Sequence, residues 1–215
     1  MLLVLAVAAP GLAQTAPADA AGARPAAAAP AEGDAPAAVL DPSAPAGEYR
    51  LDPHHSQVVF SYDHMGMSTS RGMVRGVAGT VTLDPADPGA SRVEAMFPLS
   101  ALQTVTPELD EHLMGKDFFN GAAPATAVTF TSTDVQPTGE GTAQVTGDLT
   151  LNGVTRPLTL EVTLRRMGEN PMTKKPAAGF EATGSLLRSD FNLGAFAPAV
   201  SDRVDLLISA EAVKD

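Results

Sequence analysis

VTGDLTLNGVTRPLTLEVTL, residues 145–164, reads as two extended runs joined by a two-residue turn. Val145, Gly147, Leu149 and Leu151 share one face of the first run, opposite Gln144, Thr146, Asp148 and Thr150. Leu158, Leu160, Val162 and Leu164 share one face of the second, opposite Thr159, Glu161, Thr163 and Arg165. Side chains on a strand alternate with period two, so each run has an apolar and a polar face. Asn152-Gly153 between them suits a type I′ turn, whose two central residues need positive φ.

The same alternation extends in both directions from this hairpin. Val58, Phe60 and Tyr62 form one apolar row, with His64 in phase near its end. Met73–Leu83 carries Gly72, Gly76 and Gly79 at or near it, and its apolar parity changes between Val74 and Val77. That change predicts a bulge or sharp bend. Further rows are Val93, Ala95 and Phe97; Val128 and Phe130; Phe180, Ala182, Gly184 and Leu186; and Val204, Leu206, Ile208 and Ala210. Turn residues cluster at Asp84–Gly89 and Gln136–Gly141, and Met167–Pro171 opens a longer loop. Thr106-Pro107-Glu108 predicts a helix with Thr106 as N-cap, running to about Met114 and stopping at Gly115. The reading is all-β: eight antiparallel strands with one short helix. Strands that each have one apolar face close naturally into a barrel, which removes exposed edges.

Composition limits what such a barrel does. Hydrophobic residues make up 44% of the 215, but aromatics only 5%. Of the 37 alanines, 19 fall in residues 1–50, where they add little core. The absence of cysteine excludes disulfides, thiolate metal sites and a catalytic thiol. The net charge of −11 argues against a nucleic-acid partner, which needs a basic footprint. No apolar run approaches the roughly 20 residues of a membrane-spanning helix. Met1–Ala13 reads as a signal peptide with small residues at Gly11 and Ala13, although no basic residue precedes its apolar run. Residues 14–47 hold 15 Ala and 6 Pro and read as an unfolded linker. The barrel domain is then 48–215.

Gly79, Ala95, Gly147, Ala182, Gly184 and Ala210 fall on inward faces, and small residues there leave volume for an apolar guest. The expected ligand lining follows strand by strand. It begins with Val58, Phe60, Tyr62, His64, Val74 and Val77, and continues with Val93, Ala95, Phe97 and Phe130. Leu149, Leu160 and Val162 come from the Asn-Gly hairpin, and Phe180, Ala182, Gly184, Leu186, Leu206 and Ile208 from the last two strands. Leu113 and Phe119 come from the helix region, which reads as a lid or plug over one mouth.

Five motifs in order carry a family resemblance. They are His55-Ser56-Gln57-Val58-Val59-Phe60 with His64-Met65-Gly66, then Gly72 with Gly79-Thr80-Val81, then Asp110-Glu111-His112-Leu113 with Asp117-Phe118-Phe119. Gly147–Pro157 follows, and then Gly179-Phe180, Arg188-Ser189-Asp190-Phe191 and the closing strand Val204–Ala212. Over Glu48–Asp215 the chain resembles the YceI-like, polyisoprenoid-binding group. The resemblance implies a lipocalin-like barrel holding a long isoprenoid or similar amphiphile, for carriage, storage or protection. It also implies an exported, periplasmic, non-enzymatic protein without a cofactor, from a family whose members can dimerise. There are two departures from the family pattern: Leu109 stands where a basic residue often precedes the D-x-H-L motif, and Val74 and Val77 replace inward aromatics.

The rival reading is a small-molecule enzyme at the barrel mouth using His55, His64 or His112. These three also make a metal site conceivable, but rim hydrogen bonding is favoured, and no nucleotide, metalloprotease or nucleophile-elbow motif is present. Asp190 is read as held by Arg188 or capping a turn. Arg165, Arg166, Lys174 and Lys175 cluster on one hairpin, chiefly as a solvated loop, with transient contact to anionic lipid heads as the lesser alternative.

Overall fold

The computed structural model describes residues 39–41 and 43–214. Its strands are β1 (Val39–Leu40), β2 (Gly47–Leu51), β3 (Gln57–His64), β4 (Ser68–Arg75), β5 (Ala78–Leu83), β6 (Arg92–Pro98) and β7 (Leu102–Gln103). After helix α1 (Pro107–Met114) come β8 (Ala127–Gly139), β9 (Thr142–Leu151), β10 (Val154–Glu169), β11 (Pro176–Leu187) and β12 (Arg203–Val213). The ring order β2–β5–β6–β8–β9–β10–β11–β12 returns from β12 to β2, antiparallel at every step. The fold is therefore a closed eight-stranded barrel. β3 continues β2, pairing with the other end of β12 through residues 205–209, and β4 continues β5 by pairing with β3.

Two staves are thus broken in the middle, and only one break was legible. Gly76 takes the left-handed conformation (φ 72°) between β4 and β5, where the apolar parity changes. The other break, residues 52–56, has no such signal in the alternation. There Pro53 lacks an N–H, and the Asp52 carboxylate accepts from the His54 N–H at 2.9 Å, which turns the chain out of the sheet. The gap is bridged by Asp52 N–H to the Glu211 carbonyl (2.8 Å) and Val77 N–H to the Ser56 carbonyl (3.2 Å).

The Asn-Gly hairpin has the expected register, Leu151 opposite Val154 and Val145 opposite Leu160, with φ of 51° at Asn152 and 72° at Gly153. α1 starts as predicted: the Thr106 hydroxyl accepts from the Leu109 N–H at 3.3 Å. β10 is longer than the pattern suggested and includes Met167–Glu169, so the following loop spans only 170–175. The ordered barrel also begins before residue 48. Val39 and Leu40 pair in parallel with Arg166 and Met167, and Ala44 is buried, within the stretch read as linker. The signal-peptide reading and the linker reading for residues 14–38 lie outside the described residues. Apolar residues pack in two clusters, one around Tyr49, Leu51, Leu83 and Ala212, the other around Leu99, Val128, Leu158 and Phe191 near α1.

Candidate functional site

A cavity of about 1180 Å³ occupies the barrel. Its long rows are β3 Val58–His64, β10 Leu158–Leu164 and β12 Val204–Ala210, each about 20 Å at roughly 3.3 Å per residue. Every residue of the expected lining borders it except Gly184. Leu40, Leu102, Leu109, Met167, Arg188 and Phe196 also border it but were absent from that lining. Met167 lies at the far end of β10, beyond the stretch the alternation assigned to it, and the others lie on short strands, loops or helical turns, where period-two reading has no purchase.

The expectation that inward glycines leave volume is corrected. Ala95, Ala182 and Ala210 border the cavity, but Gly79, Gly147 and Gly184 do not. A Cβ at Gly147 would lie 2.5 Å from the Phe130 ring, and one at Gly184 2.7 Å from a Leu160 methyl. Gly72 likewise underlies the Phe60 ring. These glycines are platforms on which large side chains from neighbouring strands lie flat. Gly79 serves closer backbone contact: with φ at 144°, a Cβ would press on the Glu94 carbonyl. The thin parts of the wall come from alanine.

Polar lining residues sit toward the two ends. At the α1 end are Tyr62, His64, Ser70 and His112; at the other are Asp84, Ser91, Arg92 and Glu140. His112 meets the Phe118 ring edge-on (centroids 5.5 Å apart) and stacks with Phe196 at 6.4 Å, tying α1 to the 193–200 loop. Arg188, only 9% exposed, donates to the carbonyls of Leu193 (2.5 Å), Ala195 (3.2 Å), Val200 (2.9 Å) and Ser201 (2.9 Å). Burial lowers its pKa, opposed chiefly by the nearby Asp202 carboxylate. The reading of Asp190 as its partner is therefore corrected: Arg188 holds backbone carbonyls, and Asp202 accepts from both N–H and Oγ–H of Ser189. Sequence gives no signal for a carbonyl cage, because its acceptors are side-chain independent.

The three histidines do not converge. His64 and His112 border the cavity mouth, whereas His55 lies on the 52–56 break and does not border it. Among the described residues no group of three His, Cys, Asp or Glu is placed to hold a metal. His55 Nδ1 instead bonds Asp52 Oδ2 at 2.7 Å. That hydrogen bond raises the His55 pKa above 6.5 and lowers that of Asp52 below 3.8. The His55 contribution is present below its unfolded pKa and lost as pH rises through the higher folded one. The Asp52 contribution is present above its unfolded pKa and lost as pH falls through the lower folded one. An NMR titration of the His55 ring should give a midpoint above the ordinary value that falls back in Asp52→Asn. An unchanged midpoint in the variant means the pair does not set it.

The basic hairpin lies at the end opposite the mouth, and two of its four cations pair with acids: Lys174 with Glu169 at 3.2 Å and Arg165 with Glu181 at 3.8 Å. Arg166 donates to the Glu169 carbonyl.

Comparisons place this geometry among known proteins. The sequence model of the YceI-like domain matches residues 49–212. Protein YceI of Escherichia coli O17:K52:H18 is 41% identical over 174 residues, covering 80% of this chain and 90% of the relative. The crystal structure of BcnA from Burkholderia cenocepacia superposes with TM-score 0.65 at 23% identity, covering 75% of this chain and 99% of that one. A polyisoprenoid binding domain from Saccharophagus degradans, implicated in plant cell wall breakdown, gives TM-score 0.58 at 14% identity, covering 80% and 100%. At these two identities the likeness is one of fold.

Proposed function

The chain belongs to the YceI-like domain family, and from that premise we propose that it is an exported, periplasmic protein that binds a polyisoprenoid or similar long-chain amphiphile and carries, stores or protects it without chemical turnover. The observation that carries this reading is an apolar cavity of about 1180 Å³ with its polar groups toward the ends. An unfilled apolar volume leaves its lining without packing partners, which costs stability, so a bound apolar guest would stabilise the barrel. Apolar walls give water few partners, and a long hydrocarbon needs none. About ten buried methylenes at about 0.8 kcal/mol each supply about 8 kcal/mol, a micromolar complex before ordering costs.

The α1 end is the entrance in this reading. Met65 and Phe196 border the cavity there and are still 54% and 53% exposed, with exposed Met67 beside them. An apolar rim continuous with an apolar interior lets a chain leave a bilayer during transient contact without crossing water. The naming of one structural relative as a polyisoprenoid binding domain supports the ligand class.

The test is recovery of the full chain from a Gram-negative host by periplasmic extraction, followed by organic extraction and mass spectrometry. A near-stoichiometric long-chain lipid from leader-cleaved protein is expected. Protein that stays cytoplasmic with its leader intact overturns the export part. Extracts of well-folded protein that hold no chain lipid, and no uptake of one added in vitro, overturn the binding part.

A further inference from the structure

We infer that Leu40, delivered by the short strap ahead of the family-matched region, is the stop that sets how long a chain the cavity accepts. This rests on the binding reading above. The strap lies just ahead of residues 49–212, the span that the family model matches.

The topology explains why a strap fits there. β9 begins at Thr142, opposite Thr163, so β10 beyond that point has a vacant edge on the β9 side. β1 occupies this edge, with Leu40 opposite Met167. Leu40 thereby lands on the turn closing β8 and β9: its Cδ1 lies 3.0 Å from where a Cβ of Gly141 would stand. Its side chain borders the cavity at the end farthest from α1, among Pro137, Leu164 and Met167. A chain entering at the mouth with its polar head beside Tyr62 and His64 meets Leu40 with its tail.

The strap holds its place through contacts that do not involve the Leu40 side chain. The Asp41 N–H donates to the Met167 carbonyl at 2.9 Å. The Asp41 carboxylate accepts from the N–H and hydroxyl of Ser43 at 2.8 and 2.6 Å, closing a tight local turn. The Ala44 side chain is buried, and the Tyr49 hydroxyl donates to the Pro45 carbonyl at 2.7 Å. Lys214 Nζ reaches the Ala46 carbonyl at 3.0 Å. Truncating Leu40 should therefore open the cavity end and leave the strap seated.

The experiment uses delipidated full chain and a homologous series of straight-chain primary alcohols, read by native mass spectrometry. For the unaltered protein, affinity should rise about fourfold per added methylene and level off at a limiting length, where the tail reaches Leu40. In Leu40→Ala the limit should move to longer chains, with shorter ones bound as before. In Leu40→Phe it should move to shorter chains. The paired opposite shifts keep the test decisive if one variant folds poorly. The same limiting length in the unaltered and altered proteins overturns the role of Leu40 and leaves lipid binding intact. No length-dependent binding by the unaltered protein overturns both.

Discussion

Ala182→Phe is expected to weaken lipid binding by about a hundredfold or more while the barrel remains folded. Ala182 lies on β11, opposite Val162 of β10 and Ile208 of β12, and is 7% exposed with its side chain bordering the cavity. A phenyl ring there occupies space that about three or four methylenes of a guest would fill. At about 0.8 kcal/mol each that is about 3 kcal/mol, or about a hundredfold in Kd. Overpacking normally costs about 1–3 kcal/mol because the core has no room to receive the added atoms. Here the ring enters a cavity of about 1180 Å³, so melting of the delipidated variant should occur at or slightly above the unaltered temperature. Titration with a long-chain alcohol and a thermal melt on the same sample separate the two effects. Unchanged affinity with the fold intact would show that the guest does not lie against β11. Gly184→Leu makes a poor substitute, since the added Cβ alone meets Leu160 at 2.7 Å and tests packing rather than occupancy.

The contrast between Ala182 and Gly184 shows what alternation can and cannot convey. Both are inward on the same strand, and period two assigns them to one face equally well. What separates them is the side chain lying across each, which is decided by register with another strand. Gly147 is covered by Phe130, seventeen positions earlier, because β8 and β9 pair so that Ser132 stands opposite Gly147. The ring, the eight apolar rows and the Asn-Gly hairpin were legible because each rests on a local period or turn preference. The break at 52–56 was written only in Asp52 and Pro53, and the long neighbouring alternation outweighed them. Leu40 lies on a strand of two residues, too short to display a period, inside a segment whose Ala and Pro content points away from order. Its placement depends on the vacant edge of β10, which exists only once the barrel has closed.

Arg188→Met is expected to destabilise the barrel by about 3 kcal/mol and to speed lipid release. A basic residue at a strand end reads as a surface charge, yet the 193–201 segment wraps around this one and turns four carbonyls onto it. Hydrogen bonds from a charged donor contribute about 1.5–3 kcal/mol each, and carbonyls left buried without partners cost about 1–3 kcal/mol. Water re-entering from the mouth satisfies some of them, which brings the net loss down from the sum of four such bonds. Lysine should recover only part of the loss: its three donors radiate from one nitrogen, whereas the guanidinium fork spreads its donors over carbonyls spanning Leu193 to Ser201. The same segment carries Leu193, Phe196 and Val200 to the cavity mouth, and Phe196 stacks on His112 of α1. Losing the carbonyl clamp thus frees one jaw of the entrance, so dissociation of a bound chain should accelerate more than its association. Urea unfolding should show a lower midpoint at constant slope, with Arg188→Lys between Arg188→Met and the unaltered protein. An unfolding free energy within about 0.5 kcal/mol of the unaltered value would mean that the carbonyls find equivalent donors without Arg188. Destabilisation with unchanged release kinetics would confine its role to the fold and remove it from the entrance.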